Sequence, residues 1–161
     1  MTNSELAQHL RDLQIFLTIA GYDEVHARRY GHIAHEIERM GEPVVQLRRE
    51  ARLKEIPGVG PSIAGYLKEI IDNGKCSKQE DWEKVVPLSV IELLQIPGLG
   101  TGTARWLVHD YGIVSLEALK QAIDSKYLEG AAGVSPITMR TWRIAIDKLQ
   151  SGASDRVVGN S

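Results

Sequence analysis

The sequence predicts an all-α protein, a compact helical array in which one sharply bent helical unit occurs twice and a third, degenerate copy follows. Three observations carry that prediction. Apolar residues recur at three- and four-residue steps through most of the 161 residues, glycine or proline stops several of these runs, and no stretch keeps the apolar/polar alternation of a strand.

The elements follow in chain order. Leu6, Leu10, Leu13 and Leu17 form the first stripe behind a capping pair, Thr2 and Glu5, and Gly21 ends the run. A second helix from Asp23 to Met40 places Tyr30, Ile33, Ala34, Ile37 and Met40 on one face and stops at Gly41. Pro43, whose missing amide costs nothing at a helix start, opens a short helix with Val44, Val45 and Leu47. Ser77 with Glu80 resembles a second capping pair, opening a helix through Trp82; Pro87 breaks it before the apolar run Leu88 to Leu94. Ser115 to Ile123 and Pro136 to Leu149 complete the helices, and residues 151–161 have the composition of a flexible polar tail.

Composition narrows the function classes. Hydrophobic residues at 43% supply a core, and charged residues at 25% describe a soluble chain. No apolar run approaches the roughly 18 residues of a membrane span, and the first ten residues carry no basic-then-apolar export signal, so a cytoplasmic protein without a membrane partner is expected. A single cysteine, Cys76, forms no internal disulfide and builds no thiolate zinc site. His32, His35 and Glu36 share a helix but lack the HExxH spacing of a metal site. Neither bent unit is followed by the Gly-Lys-Ser/Thr of a nucleotide-binding loop.

The repeat carries the chemistry. LKEIPGVGPSIAGYL (53–67) and LLQIPGLGTGTARWL (93–107) align without a gap. Ile56 and Ile96 plug the end of a first helix, and Pro57 and Pro97 prevent its continuation. Gly58, Gly60, Gly98 and Gly100 are expected to take positive backbone dihedrals and to clear side chains from the tip. Val59 and Leu99 point back between the two helices, and Ala64 and Ala104 let them approach. What remains at each tip is bare backbone at a helix N-terminus, with amides directed outward and the helix dipole behind them, which is an anion site. Phosphate contacts through main-chain donors carry no base information, so nucleic-acid binding at such tips tolerates any sequence.

A formal net charge of -2 does not attract a polyanion as a total. Locally, Arg48, Arg49, Arg52 and Lys54 precede the first tip, Arg28 and Arg29 lie on the second helix, Arg105 follows the second tip, and Arg140 and Arg143 mark the last helix. Lys54 and Arg105 are the strongest candidates for phosphate contact. Tyr66, Trp106 and Trp142 offer faces for base stacking, although core packing is the commoner fate of aromatics at such spacing.

Both bent units resemble helix-hairpin-helix motifs of DNA-binding proteins. Their order, after a helical region containing VHARRYGHIAHEIERMGEPVVQL and before GIVSLEALKQAI, resembles the N-terminal portion of family X DNA polymerases of the polymerase-β type, from about Leu6 to Leu149. LEGAAGVSPITMRTW looks like a decayed third hairpin: Gly133 and Val134 remain, while Ala132 and Ser135 replace the usual proline and second glycine.

The resemblance implies a lyase-type helical domain over 1–85 with the first hairpin and a DNA-binding subdomain over 86–150 with the second. It implies DNA contacts at Tyr30, Lys54, Gly58, Val59, Gly60 and Ser62, and again at Gly98, Leu99, Gly100, Thr101, Thr103 and Arg105. It further implies a monovalent cation (Na⁺ or K⁺) held by the backbone carbonyls of Lys54, Ile56 and Val59 and by those of Leu94, Ile96 and Leu99. Polymerisation needs carboxylates holding two metals in a separate domain, and no Asp-x-Asp pair occurs here. The Schiff-base lysine of the family falls on Tyr66, which forms no imine; His26, His32 and Ser62 stand where basic pocket residues are expected, and Lys78 stands where the family has a secondary lysine. The expectation is a non-catalytic, sequence-independent DNA-binding protein of DNA repair, acting on gapped or nicked DNA beside separate repair enzymes. A residual 5'-deoxyribose-phosphate lyase working through Lys78 and a protein-interaction module are the alternatives.

Overall fold

A computed structural model describes the backbone of residues 1–159 and the side chains of residues 1–152. The described residues are helices and turns with no strand. The α-helices are α1 (Asn3–Ala20), α2 (Glu24–Arg39), α3 (Val44–Arg49), α4 (Pro61–Asn73), α5 (Ser77–Glu83), α6 (Thr101–Tyr111), α7 (Leu116–Asp124) and α8 (Pro136–Gly159), with 3-10 segments at Leu53–Glu55 and Leu88–Gln95. The chain divides into two compact units, Met1–Leu88 and Ser89–Ser161. The polar tail expected over 151–161 lies mostly outside the described side chains; the backbone of α8 continues through Gly159.

In the first unit, α1 packs along α2. The Thr2 hydroxyl accepts the Glu5 amide at 3.1 Å and Gly21 closes α1 at φ 111°, so both boundaries follow from cap chemistry. Leu6, Leu10, Leu13, Phe16 and Leu17 meet a buried α2 face of Ala27, Tyr30, Ile33, Ala34 and Ile37. The Asn3 side chain staples the start of α3: its amide donates to the Glu42 carbonyl at 2.9 Å, and its oxygen accepts the Val44 amide at 2.7 Å. Helix α5 departs from expectation. Its N-cap is Cys76, and Ser77 instead turns its amide and hydroxyl to the Glu69 carboxylate of α4 at 2.7 and 3.1 Å, because that acid reaches it across the turn.

The second unit buries Val90, Leu93, Ile96, Leu99, Leu107, Leu119, Trp142 and Ile146. Ser89 Oγ donates to the Val114 carbonyl at 2.6 Å, joining the 3-10 segment to the turn before α7. Arg143 on α8 grips the Asp124 carboxylate with two bonds, at 2.9 and 3.2 Å, and also engages Asp147. The first leg of each bent unit is 3-10 rather than α, at Leu53–Glu55 and at Leu88–Gln95.

Candidate nucleic-acid interface

The two tips are one structure built twice. Gly58 and Gly98 adopt φ +89° and +84°, the left-handed region that the tight turn requires after each proline. Behind each, the amide of the buried wedge residue returns to the plug residue: the Val59 amide donates to the Ile56 carbonyl and the Leu99 amide to the Ile96 carbonyl, both at 3.1 Å. Gly60 and Gly100 then start the next helix at φ -94°, ψ -173° and φ -93°, ψ -179°. Their carbonyls accept from Ala64 and Ala104 at 2.9 and 3.0 Å.

Those values correct one expectation. Gly60 and Gly100 lie in extended backbone that any residue adopts, so positive dihedrals explain only Gly58 and Gly98. Packing does not explain them either, because a Cβ at Gly60 or Gly100 would meet nothing within 4 Å. What their bareness does is leave the helix start open. Helices α1, α2 and α7 receive a side-chain cap from Thr2, Asp23 and Ser115, and at α3 and α5, whose N-cap residues give none, Asn3 and Glu69 take the first amide; α4 and α6 receive neither. The amides of Gly60, Ser62 and Ile63, and those of Gly100, Thr101, Gly102 and Thr103, donate to no acceptor among the described residues. Pro57, Gly58, Ser62, Pro97, Gly98 and Gly100 are exposed, so among the described residues no neighbouring helix covers the tips.

The third segment builds the same turn. Gly133 takes φ +83°, Val134 is buried, and the Val134 amide returns to the Ala131 carbonyl at 3.2 Å. The difference is at the cap: Ser135 Oγ accepts the Thr138 amide at 3.1 Å and pairs with the Thr138 hydroxyl at 3.0 Å. One outward donor is thereby used internally. Loss of the proline and the second glycine does not unmake the turn; the serine closes its mouth.

Charge near the tips is more selective than the sequence suggests. Arg48 is tied to Asp72 at 2.8 Å, Arg52 gathers Glu42, Glu50 and Glu55 at 3.0, 2.6 and 2.9 Å, and Arg28 pairs with Glu24 at 3.3 Å. The basic stripe expected from Arg48 and Arg52 is therefore neutralised by acidic partners. The Arg52 guanidinium in turn holds the Glu50 and Glu55 carboxyls below their ordinary range. Lys54 is exposed and Arg105 half-buried, and neither makes an ion pair among the described residues.

Other candidates fall differently. Tyr30 is 4% exposed, in the core of its unit, and burial pushes its phenol well above the usual range, so its side chain does not stand at the surface. Val59 and Leu99 are buried wedges that offer only backbone to a ligand. Lys78 holds its ammonium 4.0 Å from the centre of the Tyr22 ring. Trp142 is core, and Trp106 stacks edge-on against Tyr111 at 5.0 Å. The carbonyls assigned to a cation fit that role in part: those of Lys54, Val59, Leu94 and Leu99 accept no backbone hydrogen bond, while those of Ile56 and Ile96 each accept one and keep a second lone pair. Among the described residues no group of three His, Cys, Asp or Glu side chains is placed to hold a metal, and no helix is long and apolar enough to cross a membrane.

Comparison with known proteins matches this geometry. Residues 1–76 match the family described as Helix-hairpin-helix domain, and residues 90–148, which hold the second and third turns, match the SAM-like Helix-hairpin-helix tandem. The chain is also 25% identical over 133 residues to the DNA polymerase/3'-5' exonuclease PolX of Bacillus subtilis (strain 168), covering 83% of this chain and 23% of that protein. It thus spans about a quarter of the length of the relative it matches. With helix-hairpin-helix domains in both halves and that likeness running through most of its length, the chain resembles the N-terminal helix-hairpin-helix region of a family X DNA polymerase.

Proposed function

We propose that the chain binds DNA without sequence preference, seating backbone phosphates on the uncapped starts of α4 and α6, and that it serves DNA repair at gapped or nicked sites beside separate enzymes. One observation carries the proposal: Gly60 and Gly100 have neither a dihedral nor a packing reason to be glycine, and both leave a row of amides open. A phosphate oxygen supplies the acceptor those amides lack, and the helix dipole adds to its attraction. Lys54 and Arg105, at the flanks, add cationic contacts. A monovalent cation at the carbonyls of Lys54, Ile56 and Val59, or of Leu94, Ile96 and Leu99, would neutralise the phosphate's remaining charge. The resemblance to a protein named as a DNA polymerase supports DNA as the ligand.

Lyase chemistry has less support. A Schiff base needs a lysine amine at the sugar, whereas Lys78 packs its Nζ over the Tyr22 ring and Tyr66 offers no amine. Borohydride treatment of the chain with a 5'-deoxyribose-phosphate substrate is expected to leave no covalent adduct.

Fluorescence anisotropy of a labelled gapped duplex across a salt series tests the proposal. With about four phosphates engaged, log affinity falls with log salt at a slope of roughly -4. Absence of binding, or binding indifferent to salt, contradicts it and favours a protein-interaction module.

A further inference from the structure

This inference rests on the DNA-binding reading and deepens it. A cavity of about 210 Å³ opens on the flank of the first hairpin, between α3, the 3-10 turn and α4. Its wall is made of Ala51, Leu53, Ala64 and Gly65, and its rim carries Arg48, Lys54 and Lys68. The sequence alone places Lys68 roughly 200° around α4 from Tyr66, away from the position of the family's nucleophile; the fold brings it to the same cavity as Lys54.

Three features separate this cavity from ordinary surface. First, Gly65 stands inside a helix, where glycine costs about 1 kcal/mol relative to alanine, and a Cβ there would meet nothing within 4 Å. Neither packing nor a positive φ asks for it, and its effect is to keep the wall open. Second, Arg48 is fixed by two bonds to Asp72, at 3.2 and 2.8 Å, while Lys54 and Lys68 make no ion pair among the described residues. Three cations against Asp72 leave the rim itself net positive, and beside it Arg52 offsets one of the three carboxylates of Glu42, Glu50 and Glu55.

Third, the repeat supplies its own control. Forty residues on, the second copy has Leu88, Leu94 and Val108 in place of the three cations and Arg105 in place of Gly65, yet it builds the same turn. The hairpin does not need these lysines to fold. Gly65 lies five residues beyond Gly60, about 7.5 Å along the helix axis at 1.5 Å per residue.

We propose that this cavity is a second phosphate site, built from side chains, in which Lys54 and Lys68 clamp a backbone phosphate of the same strand that the first hairpin tip holds, with Gly65 leaving room for its approach. The first hairpin grips two points on its strand.

The test compares the full chain with Lys54→Ala/Lys68→Ala and with Gly65→Leu by anisotropy on the gapped duplex across a salt series, with Gly60→Asp as the tip control. Leucine is a better helix former than glycine, so Gly65→Leu keeps α4 while filling the cavity. The expected result is an affinity loss of about tenfold for both, with the salt slope of the double-lysine variant shallower by about 1 to 2. Unchanged affinity and slope in both variants, with loss at Gly60→Asp, overturns the cavity site alone. No binding by the unaltered chain overturns the underlying reading and this site with it.

Discussion

Gly58 and Gly60, two residues apart, are glycines for different reasons. Gly58 needs its left-handed φ of +89°, and an added methyl would only touch Ile33 Cγ1 at an ordinary 3.5 Å, so the cost of Gly58→Ala is backbone strain. We expect a loss of about 1 kcal/mol or more in denaturant unfolding. The Pro-Gly signature makes Gly58 and Gly98 legible in the sequence. Sequence alone assigns all four glycines both roles, conformation and vacancy, because the same letter serves both, and only the dihedral with the empty space around it shows that Gly60 and Gly100 carry the second alone. The arginines mislead for a related reason. Arg48 meets Asp72 across 24 positions and Arg52 meets Glu42 across ten, and such pairings exist only once the chain has folded.

At the scale of elements, three helix starts in one chain form a series. Those of α4 and α6 are open, and that of α8 is capped by Ser135 on the same turn. Ser135→Gly should open the third, costing a few tenths of a kcal/mol in stability while raising affinity for duplex DNA in the anisotropy assay; unchanged affinity would mean that the third turn faces no strand. Helices are readable from apolar spacing and caps, as Thr2, Asp23 and Ser115 show. Ser77 misleads because the competing acceptor, Glu69, lies on another helix.

The joint between α7 and α8 carries a pH dependence. Hydrogen bonds from Arg143 hold the Asp124 carboxyl below its usual range. A folded value below the unfolded one contributes stability above the unfolded value, near pH ~4, and that contribution disappears as pH falls through the folded value. Asp124→Asn should therefore lower stability at neutral pH and flatten the acid limb of the unfolding curve, without changing DNA affinity.

Across the whole molecule, a net charge of -2 gives no general attraction for a polyanion, so binding must come from local sites. Fold class is legible because periodicity is a local property repeated along the chain. The cavity holding Lys54 and Lys68 is not, since it is shared by segments that meet only in the fold. Two gapped duplexes of unrelated sequence should bind equally within about twofold, because phosphate contacts carry no base information. The most direct measurement uses Gly60→Asp/Gly100→Asp, which supplies each open helix start with an internal acceptor. Aspartate caps should leave unfolding stability equal or a few tenths of a kcal/mol higher, while affinity for the gapped duplex falls by about tenfold or more as the phosphate acceptors are displaced and repelled. A double variant that folds as well and binds as tightly as the original chain would show that the open amides are not where DNA is held.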